Sequence, residues 1–99
     1  MIELGLMHAY DFTRIAKALA DPRRFGILQA IATRGDAQCG EIFSCANITP
    51  ATMSHHVREL EQAGLIGTAR EGKHLRLTFR PETVRAYVDH LRESFRLPS

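Results

Sequence analysis

The chain has no long apolar run, no internal repeat, no low-complexity tract and no extended linker. A membrane-spanning helix needs about 20 predominantly apolar residues, and the longest apolar runs here are only a few residues, so no membrane partner is expected. The opening stretch MIELGLMHAYDF lacks basic residues and carries Glu3 and Asp11 instead. A secretory leader starts with positive charge, so no export is expected and the cytoplasm is the expected compartment. Cysteine is scarce, with only Cys39 and Cys45. Without an export signal they are expected as reduced thiols rather than as a disulfide.

What is present fits one modest core. The 99 residues suit a single domain over 1–99, and the 44% apolar and 24% charged fractions are those of an ordinary globular chain. The formal charge of +2 is unevenly placed. Residues 1 to 48 hold five basic and five acidic side chains, and residues 81 to 99 hold three of each. The excess lies in residues 49 to 80, with five basic, three acidic and three of the five histidines. A local positive patch suits a polyanion.

Periodicity divides the chain. Phe12, Ile15, Ala16 and Leu19 form an amphipathic stripe, which marks a first helix. Asp21 and Pro22 supply the N-cap and first residue of a second helix, expected to bury Phe25, Leu28, Ile31 and Ala32 and to end at Gly35. A short third helix is expected over roughly 37–45. Thr49 and Pro50 repeat the cap signature for a fourth helix, which closes at Gly64. Period two then takes over: Leu75, Leu77 and Phe79 alternate with His74, Arg76 and Thr78, with residues 66–70 as partner strand and Glu71-Gly72 as turn signal. Pro81 opens a last helix.

The predicted order is α-α-α-α-β-β-α, a mainly α (α+β) winged helix-turn-helix. The helix-turn-helix spans about 37–63 and a basic wing about 65–80. The fourth helix reads TPATMSHHVRELEQAGLI. At about 100° per residue, Met53, Val57 and Leu60 share its buried face, while Ala51, His55, Arg58 and Gln62 point away. Thr52 and Ser54 flank them, and His56 falls at the rim of the buried side, with a ring nitrogen bonded to backbone. Adjacent helical residues diverge, so His55 and His56 do not converge on one metal ion. A cysteine–histidine catalytic pair would need a pocket and an orienting group that the sequence does not show, so no enzyme and no catalytic residue is expected.

Three segments, KALADPRRFGIL (17 to 28), TPATMSHHVRELEQAGLI (49 to 66) and REGKHLRLTF (70 to 79), resemble the ArsR/SmtB family of small dimeric bacterial repressors. The likeness runs from about residue 12 to residue 95. It implies that Thr49, Ala51, Thr52, Ser54, His55, Arg58 and Gln62 read double-stranded DNA. Arg70, Lys73, His74 and Arg76 of the wing would touch phosphates or the minor groove. One of Arg23 and Arg24 matches a family position that often serves a structural ion pair. The family's metal-binding cysteine positions fall on Gln38 and Gly40, with Cys39 between them. Its second metal site is half-matched by His90 and Glu93, with Leu77 and Phe79 at the other ligand positions. No metal site and no cofactor are therefore expected.

Cys39, near a helix start, is either a reactive thiol of lowered pKa or a surface residue, and Cys45 reads as a small buried apolar group. Val84, Tyr87, Val88, Leu91 and Phe95, with Leu6, Met7 and Tyr10, form an apolar surplus that one small domain cannot cover. A homodimer seam through the first and last helices is expected, which would place two recognition helices on a pseudo-palindromic operator. A thiol-responsive repressor and a protein-binding winged-helix module stay open as alternatives.

Overall fold

The structure, a computed structural model, describes residues 9–98. Its elements are α1 (Ala9–Ala20), α2 (Pro22–Arg34), β1 (Asp36–Gln38), α3 (Cys39–Cys45), α4 (Pro50–Gln62), β2 (Ile66–Glu71), β3 (His74–Phe79) and α5 (Pro81–Ser94). Leu6 and Met7 lie outside the described residues, as do the side chains of Tyr10 and Cys45.

The caps form as the sequence specifies. The Asp21 carboxylate accepts from the backbone N–H groups of Arg23 at 2.9 Å and Arg24 at 3.1 Å, satisfying two donors the helix cannot. Thr49 caps α4 by accepting from the Thr52 N–H at 3.2 Å. At the far end of α4 the N–H of Gly64 bonds the Glu61 carbonyl at 2.9 Å and the N–H of Leu65 bonds the Leu60 carbonyl at 3.0 Å. This is a Schellman closure, and its hydrophobic partners Leu60 and Leu65 are both fully buried. Gly64 makes it possible, with φ of 77°.

One element is new. Residues 36–38, of which 37 and 38 were expected to open the third helix, are a strand paired antiparallel with β3, so the sheet has three strands in the order β1-β3-β2. Its register sets Ala37 against Leu77, both in the core. The turn helix accordingly starts at Cys39. The β2–β3 hairpin turns at Gly72-Lys73, one residue later than the sequence signal, with Gly72 at φ 62°. A two-residue hairpin turn needs such a conformation.

The core gathers Ile15 and Ala18 from α1, Ile27, Leu28 and Ile31 from α2, Ile42 from α3, Met53, Val57 and Leu60 from α4, and Leu65, Ile66 and Leu77 from the wing side. Three expectations change, one being that Ala32 is only half-buried. Phe25 is 44% exposed and Ile27 takes its place inside, because the buried stripe of α2 centres on Ile27, Leu28 and Ile31, and Phe25 sits about 200° from Ile27 around the helix. In α1, Ala18 rather than Ala16 is buried.

Helix α5 packs on the rest without a single buried residue. Phe12 stacks on Tyr87 with centroids 5.0 Å apart and meets His90 edge-on at 4.6 Å. His90 is therefore half-covered by an aromatic ring. The Thr83 hydroxyl donates to the Gly64 carbonyl at 2.6 Å, and the Arg80 N–H bonds the Leu65 carbonyl at 3.0 Å, fixing the start of α5 to the end of α4.

Two glycines should respond oppositely to alanine. Gly26 lies inside α2 with nothing within 4 Å of an added Cβ, so Gly26→Ala should raise unfolding free energy by about 0.5–1 kcal/mol. Gly64→Ala forces a left-handed φ on an L-residue and should lower it by about 1–2 kcal/mol. Urea titrations of both variants check the pair, and equal signs would contradict this account of the Gly64 closure.

Candidate nucleic-acid interface

The capped start of α4 presents one surface outward. Ala51, Ser54, His55 and Arg58 are exposed there, and Thr52 is half-buried. The Thr49 hydroxyl donates to the Thr52 hydroxyl at 2.9 Å, which leaves the Thr52 proton as the outward donor. On the opposite side Met53, His56, Val57 and Leu60 are buried. The helix is therefore polar where it faces solvent and apolar where it faces the core, as its sequence pattern specifies.

The wing completes this surface. Ser54 and Arg58 of α4 share a shallow hollow of about 270 Å³ with Thr68 and Arg70 of β2, and with Cys39, Val57, Glu61 and Leu75. Arg70, Lys73 and His74 are exposed along the hairpin and its tip. Thr68 donates to the Glu61 carboxylate at 2.5 Å, tying strand to helix. Recognition helix and wing thus present basic and hydroxyl side chains around one concavity, as phosphate and base-edge contacts require.

Two residues of the expected set are engaged elsewhere. The Gln62 amide oxygen accepts from Arg14 of α1 at 2.8 Å, so Gln62 belongs with the back of the molecule. Arg76 is tied down by two carboxylates: Nη1 donates to Asp36 at 2.7 Å and Nε donates to Glu71 at 2.9 Å. These two hydrogen bonds, Asp36 first, raise its already high pKa. Arg76 joins β1 to the wing tip, and its charge is locally balanced.

Behind the surface sits a contact that sequence reasoning placed incorrectly. His56 was expected to bond backbone, yet its Nδ1 lies 3.3 Å from Nη1 of Arg24. Arg24 also donates through Nε to the Ala18 carbonyl at 2.9 Å and through Nη2 to the Lys17 carbonyl at 3.2 Å, at the end of α1. One of Arg23 and Arg24 was expected in a structural ion pair; Arg24 is held instead by the Ala18 and Lys17 carbonyls and His56. The backbone N–H of Arg24, chiefly, holds the Asp21 carboxyl below its usual range.

Cys39 is half-buried at the edge of the hollow. Burial pushes its thiol pKa up, against the opposing pull of Arg70, so the expected lowered pKa is not found. Among the described residues no group of three or more His, Cys, Asp and Glu side chains could hold a metal ion. Glu93 is exposed and His90 packs on Phe12. No helix among the described residues is long and apolar enough to cross a membrane.

Comparison with known proteins agrees with this geometry. The family model for a helix-turn-helix domain matches residues 19–67. The HTH-type transcriptional regulator YceK of Bacillus subtilis is 32% identical over 76 residues, covering 76% of each chain. A crystal structure of an ArsR family transcriptional regulator superposes with a TM-score of 0.83 at 26% identity, covering 92% of this chain and 93% of that one. The solution structure of a homodimeric winged helix-turn-helix DNA-binding domain from Mycobacterium bovis, a possible ArsR-family regulator, matches with a TM-score of 0.68 at 25% identity, over 85% of this chain and 78% of that one. With the recognition helix, the wing and the sheet in the same order, the chain belongs to the ArsR-type winged helix-turn-helix transcriptional regulators, which bind DNA.

Proposed function

We propose that this regulator acts as a cytoplasmic homodimeric repressor that seats two recognition helices on a pseudo-palindromic operator. It works by binding and release, not by catalysis. The observation that carries this reading is the shared concavity of α4 and the wing, which Ser54, Arg58 and Arg70 line together. Arg58, His55, Ser54 and Thr52 are the base-reading candidates, and the exposed Ala51 offers a methyl group suited to a thymine methyl. Thr49, Arg70, Lys73 and His74 hold the backbone. Arg76 supports the wing through Asp36 and Glu71 rather than by donating to DNA.

Dimerisation is supported by what α5 leaves uncovered. Val88 is 40% exposed, Phe95 69% and Leu97 55%, along one helix and its extension. Val84 and Tyr87 pack partly on the protein's own core, and Leu91 is half-buried. The Mycobacterium bovis relative is itself a homodimer. A twofold axis near α5 would space the two recognition helices about one DNA turn apart.

The signal that releases the operator is a separate matter. Cys39 lines the same hollow as Arg58 and Arg70, so a group added to its sulfur would occupy that hollow. Its burial keeps the thiol protonated and slows such chemistry.

Three measurements test the proposal. Arg58→Ala should weaken binding to a selected operator duplex by about 1–3 kcal/mol and relax its sequence preference, and His55→Ala should act in the same direction. Lys73→Ala should lower the salt-dependence slope by about one while sparing sequence preference. Full, sequence-specific footprints from both α4 variants would overturn the assignment, and absence of any gel shift would favour a protein-binding module. For the dimer, the double variant Val88→Asp and Phe95→Asp should sediment as a single 11.1 kDa chain. A wild type that already sediments at that mass would rule the seam out.

A further inference from the structure

His56 is 4% exposed, and its Nε2 has no hydrogen-bond partner among the described residues. A guanidinium donates and never accepts, so the Nδ1 atom facing Arg24 accepts. The ring is thereby fixed as the neutral tautomer with its proton on Nε2. The same guanidinium grips the carbonyls of Ala18 and Lys17. A single side chain of α2 thus bridges the end of α1 and the middle of the recognition helix, one residue from the exposed His55.

We propose that Arg24 and His56 are a positioning pair that sets the seat of the recognition helix for specific DNA, and that the pair holds only while His56 is neutral. It rests on the DNA-reading surface proposed above. Protonation would place an N–H on Nδ1, donor against donor and charge against like charge. The contact that backs the helix would open. The charged and titratable groups around the ring are Asp21, Arg23 and Arg24 from α2 and His55 from α4. Asp21 alone favours the charged ring. Burial, first, and then Arg24, His55 and Arg23 disfavour it and hold the pKa below the ordinary 6.5.

The direction of the pH effect follows. The DNA-seated form excludes the proton, so specific affinity is intact at neutral pH and lost as pH falls through the lowered pKa of the folded ring. Stability moves the same way, because the unfolded chain takes up the proton near 6.5 while the folded chain resists it. Any gain of positive charge on the protein strengthens sequence-independent phosphate binding. The informative quantity is therefore the ratio of specific to non-specific affinity.

The test uses the full chain, a duplex selected by the wild type from random DNA, and a scrambled duplex of equal length. From pH 8 to 5.5 the wild-type affinity ratio should fall, by up to about tenfold per pH unit for each proton taken up. His56→Gln offers an amide oxygen that accepts from Arg24 at every pH. It should keep the ratio at pH 8 and flatten its acid loss, whereas His56→Ala should lower the ratio at both ends. A His56→Gln profile with the wild type's acid loss would overturn the proposal. Nitrogen NMR of the free wild type gives an independent reading. It should show His56 with its proton on Nε2 at pH 7 and titrating below 6.5, and Arg24→Gln should raise that midpoint. A ring protonated on Nδ1 at pH 7 would overturn the pair even if no duplex can be selected, an outcome that by itself would count against the DNA reading alone.

Discussion

Everything this molecule presents outward depends on how α4 is held from behind. A 13-residue helix is too short to persist in water by its own hydrogen bonds. Its shape and aim come from tertiary contacts: Met53, Val57 and Leu60 in the core, the Thr49 cap at one end and the Leu60–Leu65 closure at the other. His56 is the exception on that buried face, a polar ring met by a guanidinium. Burying a polar group is costly unless it is bonded, so the one polar member of this face is also the one whose placement is most sharply specified. The exposed side chains inherit their positions from that seating.

Much of this architecture is legible in the sequence, because the signals are local. Asp21-Pro22 and Thr49-Pro50 announce helix starts through groups two or three residues away, and Gly64 announces an end. The alternation of Leu75, Leu77 and Phe79 shows a strand, and the helical wheel separates His55 from His56. What escapes is decided by long-range pairing. Three residues cannot display a strand's alternation, so Asp36–Gln38 becomes a strand only because β3 lies beside it. Phe25 shows the complementary error, an apolar residue at a plausible spacing that the packing of α2 leaves outside.

The interface divides along the same line. Exposure of Ser54, His55 and Arg58 follows from periodicity. The pairing of Arg76 with Asp36, 40 residues away, of Gln62 with Arg14, 48 away, and of His56 with Arg24, 32 away, does not. Each removes a polar group from the pool that composition counts as available. The positive patch of residues 49 to 80 is accordingly smaller in space than in sequence, and it is concentrated on Arg58, Arg70 and Lys73.

The bond from Thr83 to the Gly64 carbonyl joins two elements of the molecule. It sits where the recognition helix ends and α5 begins. Helix α5 runs on for 11 residues from Thr83 to Ser94, about 17 Å at 1.5 Å per residue. In a dimer joined through α5, a small rotation at this joint would swing the two reading heads through several ångströms. The joint of Thr83 and Arg80 with the end of α4 would thereby set the distance between half-sites from outside the reading surface.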